Sequence, residues 1–116
     1  MKRTLFQPAC KIWLICGGTN FGDGLYHLLY NVQQYGSISK AAKVMGMSYR
    51  AAWGKIKKAE KSLGFKLIET QVGGDAGGGA NLTPEGNKLL QGFGQFRDRV
   101  EQAVELIFEE VFGGKE

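Results

Sequence analysis

The sequence predicts a mainly helical domain with a small β component, and three observations carry that prediction. Apolar residues recur at helical spacing in four stretches, each bounded by glycine or by a hydroxyl residue that favours a helix end. One short run of β-forming residues precedes the first helical stretch, and another precedes the glycine-rich loop that starts at Gly73. The last stretch, residues 83–112, is unusually long. At 116 residues the chain has room for one modest core, so we assign residues 1–116 to a single domain.

Two extended segments are predicted at the N terminus, Thr4–Phe6 and Lys11–Cys16, and they are placed to form a hairpin. The glycines that follow, in GGTNFGDG, predict a tight connection into the first helix, for which Asp23 is the expected cap. Gly17 and Gly22 have the spacing of a phosphate loop. Because Asp23 stands where that loop needs lysine, and its carboxylate would repel phosphate, a phosphate loop is excluded.

The first helix is predicted over Leu25–Tyr35 and ends at Gly36. Its apolar face consists of Leu25, Leu28, Leu29 and Val32. His27, the only histidine of the chain, lies off that face, and a surface position is its simplest assignment. Neither a Ser, His and acid set nor a Cys and His pair can be built around it, so we expect no catalytic residues and no metal site. A hydrolytic or metal-dependent enzyme is poorly supported.

Two further helical patterns follow, separated by a tight break. The first is capped by Ser37 or Ser39 and ends at Gly46, and its apolar face consists of Ile38, Ala41, Ala42 and Met45. The second starts after Ser48 and ends at Gly64, and its apolar face consists of Ala52, Ile56, Ala59 and Leu63. Two helices joined by so short a turn, the second basic on its solvent side, have the layout of a helix-turn-helix DNA reader.

The solvent face of that second helix presents groups suited to a DNA groove. Arg50 can address guanine bidentately, Tyr49 and Ser48 hydroxyls can bond phosphate or base edges, and tryptophan offers apolar contact. We expect DNA contact from seven residues of the two helices and their caps: Ser37, Lys40, Ser48, Tyr49, Arg50, Trp53 and Lys57. The alternative is an ordinary solvated face made of Lys55, Lys57, Lys58 and Lys61.

Residues 65–82 are predicted to form a β wing. Phe65, Leu67 and Ile68 begin a strand that Thr70 and Val72 continue, and a glycine-rich segment then turns the chain back toward a second strand. Glycine permits positive φ and close backbone approach, so the N–H groups of this loop can lie along DNA, although Asp75 opposes phosphate contact at its own position. The wing glycines are Gly73, Gly74, Gly77, Gly78 and Gly79. The alternative is a flexible hairpin tip without a binding role.

The last helix is predicted over residues 83–112, with Thr83 as cap and Pro84 at the first position. Its apolar residues recur at intervals of four, three, four, three and four, the seam of a helix that packs lengthwise on a partner: Leu89, Phe93, Phe96, Val100, Ala103 and Ile107. We expect Phe93 to Ile107 to form a homodimer contact. The alternatives are that the helix packs on its own domain, or that Gly92 and Gly94 break it.

Charge is distributed unevenly along the chain. The net charge is +4 and the pI is near 9.1. Residues 37–66 hold eight Lys or Arg against one Glu, a net +7, whereas residues 83–112 hold three basic and six acidic residues, a net −3. This polarity is expected if one end of the domain meets phosphates and the other meets protein.

Cysteine usage and targeting signals indicate a cytoplasmic protein. Cys10 and Cys16 lie six residues apart without a CxxC motif, and we expect both to be reduced thiols buried in extended chain. No segment has the long apolar core of a signal peptide or the roughly 20 apolar residues that span a membrane. We therefore expect no membrane association and no cofactor.

The runs GSISKAAKVMGMSYRAAW and GGDAGGGANLT carry a resemblance to a known family. They resemble the N-terminal DNA-binding domain of the ModE family of molybdate-dependent transcriptional regulators and, more distantly, the winged helix-turn-helix of LysR-type regulators. The resemblance covers nearly the whole chain. It implies a winged helix-turn-helix fold and a last helix that contributes to a dimer. Members of the ModE family continue into C-terminal molybdate-binding domains, whereas this sequence stops at Glu116, so we expect no small-molecule ligand to bind this chain alone.

These expectations define a dimeric, sequence-specific DNA-binding transcriptional regulator that is similar to ModE without its molybdate-binding domains. Residues 1–82 would form the DNA-binding body, and residues 83–112 the dimerisation helix. The alternative function is that of a protein-interaction partner, which pairs with or modulates a full-length regulator. An enzyme is a weaker alternative because no catalytic constellation is present.

Overall fold

A computed structural model describes residues 5–71 and 79–113. In chain order the elements are β1 (Leu14–Cys16), β2 (Thr19–Phe21), α1 (Asp23–Tyr35), α2 (Ile38–Val44), α3 (Tyr49–Leu63), β3 (Ile68–Gln71), β4 (Gly79–Leu82) and α4 (Pro84–Phe112). The strands form two antiparallel two-stranded sheets, β1 with β2 and β3 with β4. The predicted class, mainly helical with small β elements, is confirmed, and so is the winged helix-turn-helix order of elements.

The N-terminal hairpin differs from the predicted one. Strand β1 pairs with β2, so that Leu14 lies opposite Phe21 and Cys16 lies opposite Thr19. The predicted pairing with Thr4–Phe6 is wrong for the described residues Leu5 and Phe6, which lie outside any strand, while Thr4 lies outside the described residues. The second strand comes instead from the segment predicted as a connection. A Gly-Gly turn closes this hairpin locally, which needs less chain ordering than pairing across Pro8.

Both cysteines are exposed, so the expected burial is wrong. The two-stranded sheet leaves all three residues of β1 exposed, Cys16 among them. Alternate residues of a strand are buried only where other parts of the protein cover one of its faces. Among the described residues, β1 is not covered enough to bury any of its three side chains.

Helix α1 buries the predicted stripe of Leu25, Leu28, Leu29 and Val32. It ends at Gly36, which is left-handed with φ 66° and donates its N–H to the Val32 carbonyl. The prediction that Asp23 caps the start of α1 is wrong. Gly22 occupies the cap position without a side-chain hydrogen bond, and Asp23 lies in the first turn, where its carboxylate is 3.7 Å from the Arg97 guanidinium of α4.

The next two helices begin at hydroxyl caps, as predicted. Ser37 accepts the Lys40 N–H at 3.1 Å, so Ser37 and not Ser39 caps α2. Ser48 accepts the Ala51 N–H at 3.0 Å and caps α3. The break between the helices contains Gly46 at φ 71°, a conformation that glycine adopts at little cost.

The sheet of β3 and β4 is attached to the helical body by backbone hydrogen bonds. Ala80 donates its N–H to the Gly36 carbonyl at 2.9 Å, and Thr83 donates to the Leu67 carbonyl at 2.9 Å. Of the predicted wing glycines, Gly79 lies in β4, while the others lie outside the described residues, as does Val72: Gly73, Gly74, Gly77 and Gly78.

Helix α4 is one continuous helix of 29 residues, so Gly92 and Gly94 do not break it. Thr83 accepts the Gly86 N–H at 2.9 Å and Pro84 opens the helix, as predicted. The helix crosses the body where Gly86 meets the Leu67 backbone, and a Cβ at Gly86 would collide with the Leu67 carbonyl.

The core lies between α1, α2, α3 and the first half of α4. Its largest fully buried side chains are Phe93, Leu28, Leu29, Ile56, Leu67 and Val32. Phe93 is 1% exposed, and its ring lies 5.1 Å from that of Phe21 and 5.3 Å from that of Tyr26. Its assignment to a dimer contact is therefore wrong, because its surface is already covered by its own domain.

The part of α4 beyond Phe93 is different. Phe96 and Ile107 are 44% and 57% exposed, Ala103 is exposed and Val100 is half-buried. The molecule measures 64 × 27 × 21 Å, and α4 accounts for this elongation, since 29 residues of helix extend about 43 Å. Among the described helices, none is both long and apolar enough to cross a bilayer.

Candidate nucleic-acid interface

Helix α3 is held by its apolar stripe and presents its other side outward. Ala52, Ile56 and Ala59 are buried against the core, as predicted. Arg50 and Gly54, which are one helical turn apart, are exposed on the opposite side, with Tyr49 51% exposed near the start of the helix. The outward side of α3 therefore begins with an arginine followed by a position without a side chain, so a polyanion can approach it closely.

Three predicted contact residues form a stack along one flank of α3. The rings of Tyr49 and Trp53 are 6.2 Å apart and nearly parallel, with an interplanar angle of 15°. The Lys57 ammonium lies 4.4 Å from the centroid of the Trp53 ring. A cation above an aromatic face is attracted by the ring quadrupole, so the three side chains hold one another in place.

The stack ends at Glu60, a buried carboxylate that sequence reasoning did not identify as functional. Its Oε1 is 3.1 Å from Lys57 Nζ, and its Oε2 accepts the backbone N–H groups of Leu67 at 2.7 Å and Ile68 at 3.2 Å. Glu60 is 8% exposed. It fixes the start of β3 to α3, so the wing and the outward side of α3 share one anchor. The available signal was a single Glu inside a lysine-rich helix, beside the core position Ala59.

Two expected contact residues are less open than predicted. Trp53 is half-buried and packs against the core, and Lys57 is ion-paired. Trp53 and Lys57 lie on the same side of α3 as Glu60, next to the buried stripe. We expected free groups on the solvent face, and the structure instead shows a fixed aromatic edge and a neutralised lysine.

The other expected contact residues are accessible. Lys40, Ser48, Tyr49 and Arg50 are exposed, and Ser37 is half-buried. Each capping serine accepts a backbone N–H through its oxygen, and its own O–H remains a donor for a phosphate oxygen. Glu60 is the only acidic residue between residues 24 and 68, so no carboxylate of that stretch competes on this face.

The structure offers no assembled metal ligands in the part of the chain that it describes, where no group of three or more His, Cys, Asp and Glu residues is close enough to hold an ion. His27 is exposed on α1, as predicted, and its ring packs against Tyr26 at 5.2 Å. No described arrangement joins a nucleophile to a general base around it.

The two capped helices α2 and α3, followed by the β3–β4 hairpin, define a winged helix-turn-helix fold. The family model of bacterial regulatory helix-turn-helix proteins of the lysR family matches residues 25–87, which run from α1 into the start of α4. The chain belongs to this family.

The chain is similar to curated proteins named for molybdenum or for transcriptional regulation. The molybdenum-pterin-binding protein MopB of Rhodobacter capsulatus is 40% identical over 77 residues, which are 66% of this chain and 28% of MopB. The molybdenum transport protein ModE of Azotobacter vinelandii is 33% identical over 100 residues, which are 84% of this chain and 37% of that protein. The transcriptional regulator ModE of Yersinia pestis is 44% identical over 64 residues, which are 55% of this chain and 24% of that protein. The chain thus spans 24% to 37% of the length of these relatives.

Solved structures with the same fold include a protein–DNA complex. The BenM_DBD/benA site 1 DNA complex contains a chain that is 27% identical, with a TM-score of 0.54, covering 78% of this chain and 98% of that one. ArgP from Mycobacterium tuberculosis has the same TM-score at 21% identity, covering 73% of this chain and 30% of ArgP, and supports the fold alone.

Proposed function

We propose that this chain is a sequence-specific regulator of transcription that binds double-stranded DNA, similar to ModE. The observation that carries the proposal is the outward side of α3, where Arg50 is exposed beside Gly54 on a helix fixed by its cap and its buried stripe. A fixed helix that presents arginine without a competing carboxylate is suited to reading guanine in a major groove. The proposed binding to chromosomal DNA would place this chain in the cytoplasm.

The other residues divide between contact and positioning. Lys40, Ser37 and Ser48 are suited to phosphate oxygens near the start of α2 and α3. Tyr49 supplies a hydroxyl on a ring that Trp53 holds by stacking. Lys57, being ion-paired with Glu60, acts as a positioning residue, and phosphate can compete for its ammonium only at the expense of that pair. The glycine wing supplies further backbone N–H groups.

The proposed assembly is a homodimer formed along α4 from Phe96 to Ile107. Phe96, Val100, Ala103 and Ile107 follow one another at intervals of four, three and four, so they share one face of the helix. The described body leaves Phe96, Ala103 and Ile107 exposed. A second copy of the same helix would cover this stripe and would present two α3 helices to successive major grooves.

Selection of bound duplexes from a random pool tests the proposed function. We expect enrichment of an inverted repeat whose half-sites are about 10 base pairs apart, or a multiple of that spacing, because each α3 must enter the groove from the same side of the duplex. A pool that remains unenriched while the protein is folded would contradict sequence-specific binding.

A second candidate function is supported by the exposed apolar stripe on α4. The same face could cover the corresponding helix of a full-length regulator, which would make the chain an interaction partner. In that case the purified chain would form mixed dimers with such a regulator, and its own affinity for selected duplexes would match that for random ones.

A further inference from the structure

The N-terminal hairpin is fastened to α3 on the flank opposite the Tyr49 stack. The Thr19 and Ser62 hydroxyl oxygens are 2.9 Å apart, and Thr19 Oγ1 also lies 3.4 Å from the Lys58 carbonyl oxygen. Cys16 Sγ donates to the Ser62 carbonyl at 3.3 Å. These contacts join both strands of the hairpin to the last two turns of α3, so the hairpin forms a fixed wall beside that helix.

A cavity of about 330 Å³ lies between this wall and the helix. Lys55 and Lys58 line it on the α3 side, and Trp13, Gly18 and Asn20 line it on the hairpin side. The Trp13 indole packs directly on the backbone of Gly22, where a Cβ would collide with the ring, so the aromatic wall is held close to the start of α1.

The cavity is positively charged. Both lysines are exposed, and neither forms an ion pair within the described residues. No acidic side chain lines the cavity, and the nearby Asp23 carboxylate is 3.7 Å from Arg97 of α4. Lys55, Lys58, Asn20 and Trp13 therefore line one opening, and each of these side chains carries a group that can donate a hydrogen bond to an anion.

The position of the opening relative to Arg50 identifies the anion. Arg50, Gly54 and Lys58 are spaced by four residues, so they follow one line along the outward side of α3. Eight residues of helix separate Arg50 from Lys58 by about 12 Å, which is about the width of the major groove. A duplex read by Arg50 consequently has its sugar-phosphate backbone near Lys58.

We propose that this hairpin cavity seats the backbone of the bound DNA and contributes phosphate contacts through Lys55 and Lys58. The inference rests on the proposed function and adds to it a site outside the reading residues. Because the cavity is open and its lysines are solvated, a single small anion is outcompeted by water and salt, whereas a duplex already held by α3 presents its phosphates at high local concentration.

Salt-dependent DNA titrations of the full chain test the inference. In the Lys55→Ala/Lys58→Ala double variant, the slope of log affinity against log salt should fall by about 1.8, since each lost phosphate contact removes about 0.9. Selected and random duplexes should weaken alike, because backbone contacts carry no base information. Lys88→Ala, which removes a charge from α4, is the control and should leave the slope unchanged.

A pair of substitutions at Gly18 tests the cavity without touching the lysines. A Cβ at Gly18 meets nothing within 4 Å, so both variants should fold. Gly18→Asp should weaken DNA binding about fivefold, the effect of about 1 kcal/mol between unit charges 4 Å apart in water. Gly18→Asn has nearly the same shape without the charge and should bind as the wild type does.

The outcomes separate this inference from the proposed function. If the wild type binds duplexes and Arg50→Ala weakens that binding, while the double variant and Gly18→Asp leave it unchanged, the cavity assignment is wrong and the proposed function stands. If the wild type binds no duplex at low salt, the proposed function fails and the inference with it. Saturable micromolar binding of inorganic phosphate that shifts the Gly18 amide resonance would also overturn the assignment to DNA.

Discussion

At the scale of single residues, Glu60 shows how a basic helix can depend on one acid. A buried carboxylate is costly unless hydrogen bonds satisfy it. Glu60 accepts two backbone N–H groups from the start of β3 and pairs with Lys57, which in turn lies over Trp53. One side chain thus supports both the wing and the aromatic stack of α3.

Replacing Glu60 by alanine should lower the free energy of unfolding by about 3 kcal/mol, since the Leu67 and Ile68 N–H groups would lose their buried acceptor. Urea denaturation measures the loss. Glu69→Ala, at an exposed position of β3, is the matched control and should change stability by less than about 0.5 kcal/mol. Equal losses in the two variants would mean that the Glu60 hydrogen bonds do not contribute to the free energy of unfolding.

Residue roles could be predicted from sequence where the partner is local. The Ser37, Ser48 and Thr83 caps were predicted correctly, because a cap bonds an N–H three residues ahead in the chain. Asp23 was assigned to a cap for the same reason, but its carboxylate faces Arg97, far along the chain. The role of Glu60 could not be predicted, because its carboxylate accepts hydrogen bonds from Leu67 and Ile68, and the sequence does not show that the chain folds back to Glu60 after α3.

At the scale of elements, periodicity predicted the helices well and the hairpin poorly. Helices α1, α2 and α3 bury the expected apolar stripes except at Met45 and Leu63, which are partly buried, because one face of each helix meets the core. The pairing of β1 with β2 depends on a Gly-Gly turn that sequence reasoning treated as a connection. The heptad spacing of α4 was correct as a pattern, but it could not distinguish a face that packs on its own domain from one that remains open.

Two glycines on different elements should respond oppositely to alanine. At Gly86 a Cβ would collide with the Leu67 carbonyl, so Gly86→Ala should cost about 1 to 3 kcal/mol through forced backbone movement. At Gly54 a Cβ meets nothing within 4 Å, so Gly54→Ala should add about 0.5 to 1 kcal/mol through the better helix propensity of alanine. Thermal and urea unfolding compare the two. A stabilising Gly86→Ala would contradict the packing of α4 on Leu67.

At the scale of the whole molecule, the two parts of α4 on either side of Phe93 have different neighbours. The helix up to Phe93 completes the core, and the helix beyond Phe93 carries the exposed stripe with Phe96 and Ile107. Residues 83–112 carry a net charge of −3 and residues 37–66 a net charge of +7, a polarity that suits the proposed contacts with protein and with DNA.

One substitution at Phe93 and one beyond it should separate assembly from folding. Val100→Asp would place an unpaired charge in the proposed dimer seam, so it should convert the dimer to a folded monomer in sedimentation velocity runs. Phe93→Ala should instead destabilise the fold by about 3 to 5 kcal/mol, because it leaves a core cavity. An unaltered dimer in the Val100→Asp protein would move the interface elsewhere.

The purified chain should not respond to molybdate. A tetrahedral oxyanion is retained in water by a pocket of converging donors that is shielded from solvent. The lysine-lined cavity beside α3 is open, and its lysines are exposed. Calorimetry with molybdate, tungstate and sulfate should show no binding at micromolar concentrations, and molybdate should leave DNA affinity unchanged. A saturable micromolar site would require a pocket outside those described.

The most direct test of the central claim, that the outward side of α3 reads DNA sequence, is a binding titration of Arg50→Ala against the selected duplex and against variants of it at each base position. We expect a loss of about 1 to 3 kcal/mol on the selected duplex and relaxed preference at one base position, because a bidentate guanine contact is removed. If Arg50→Ala retains both the affinity and the full sequence preference of the wild type, α3 does not read DNA through this face.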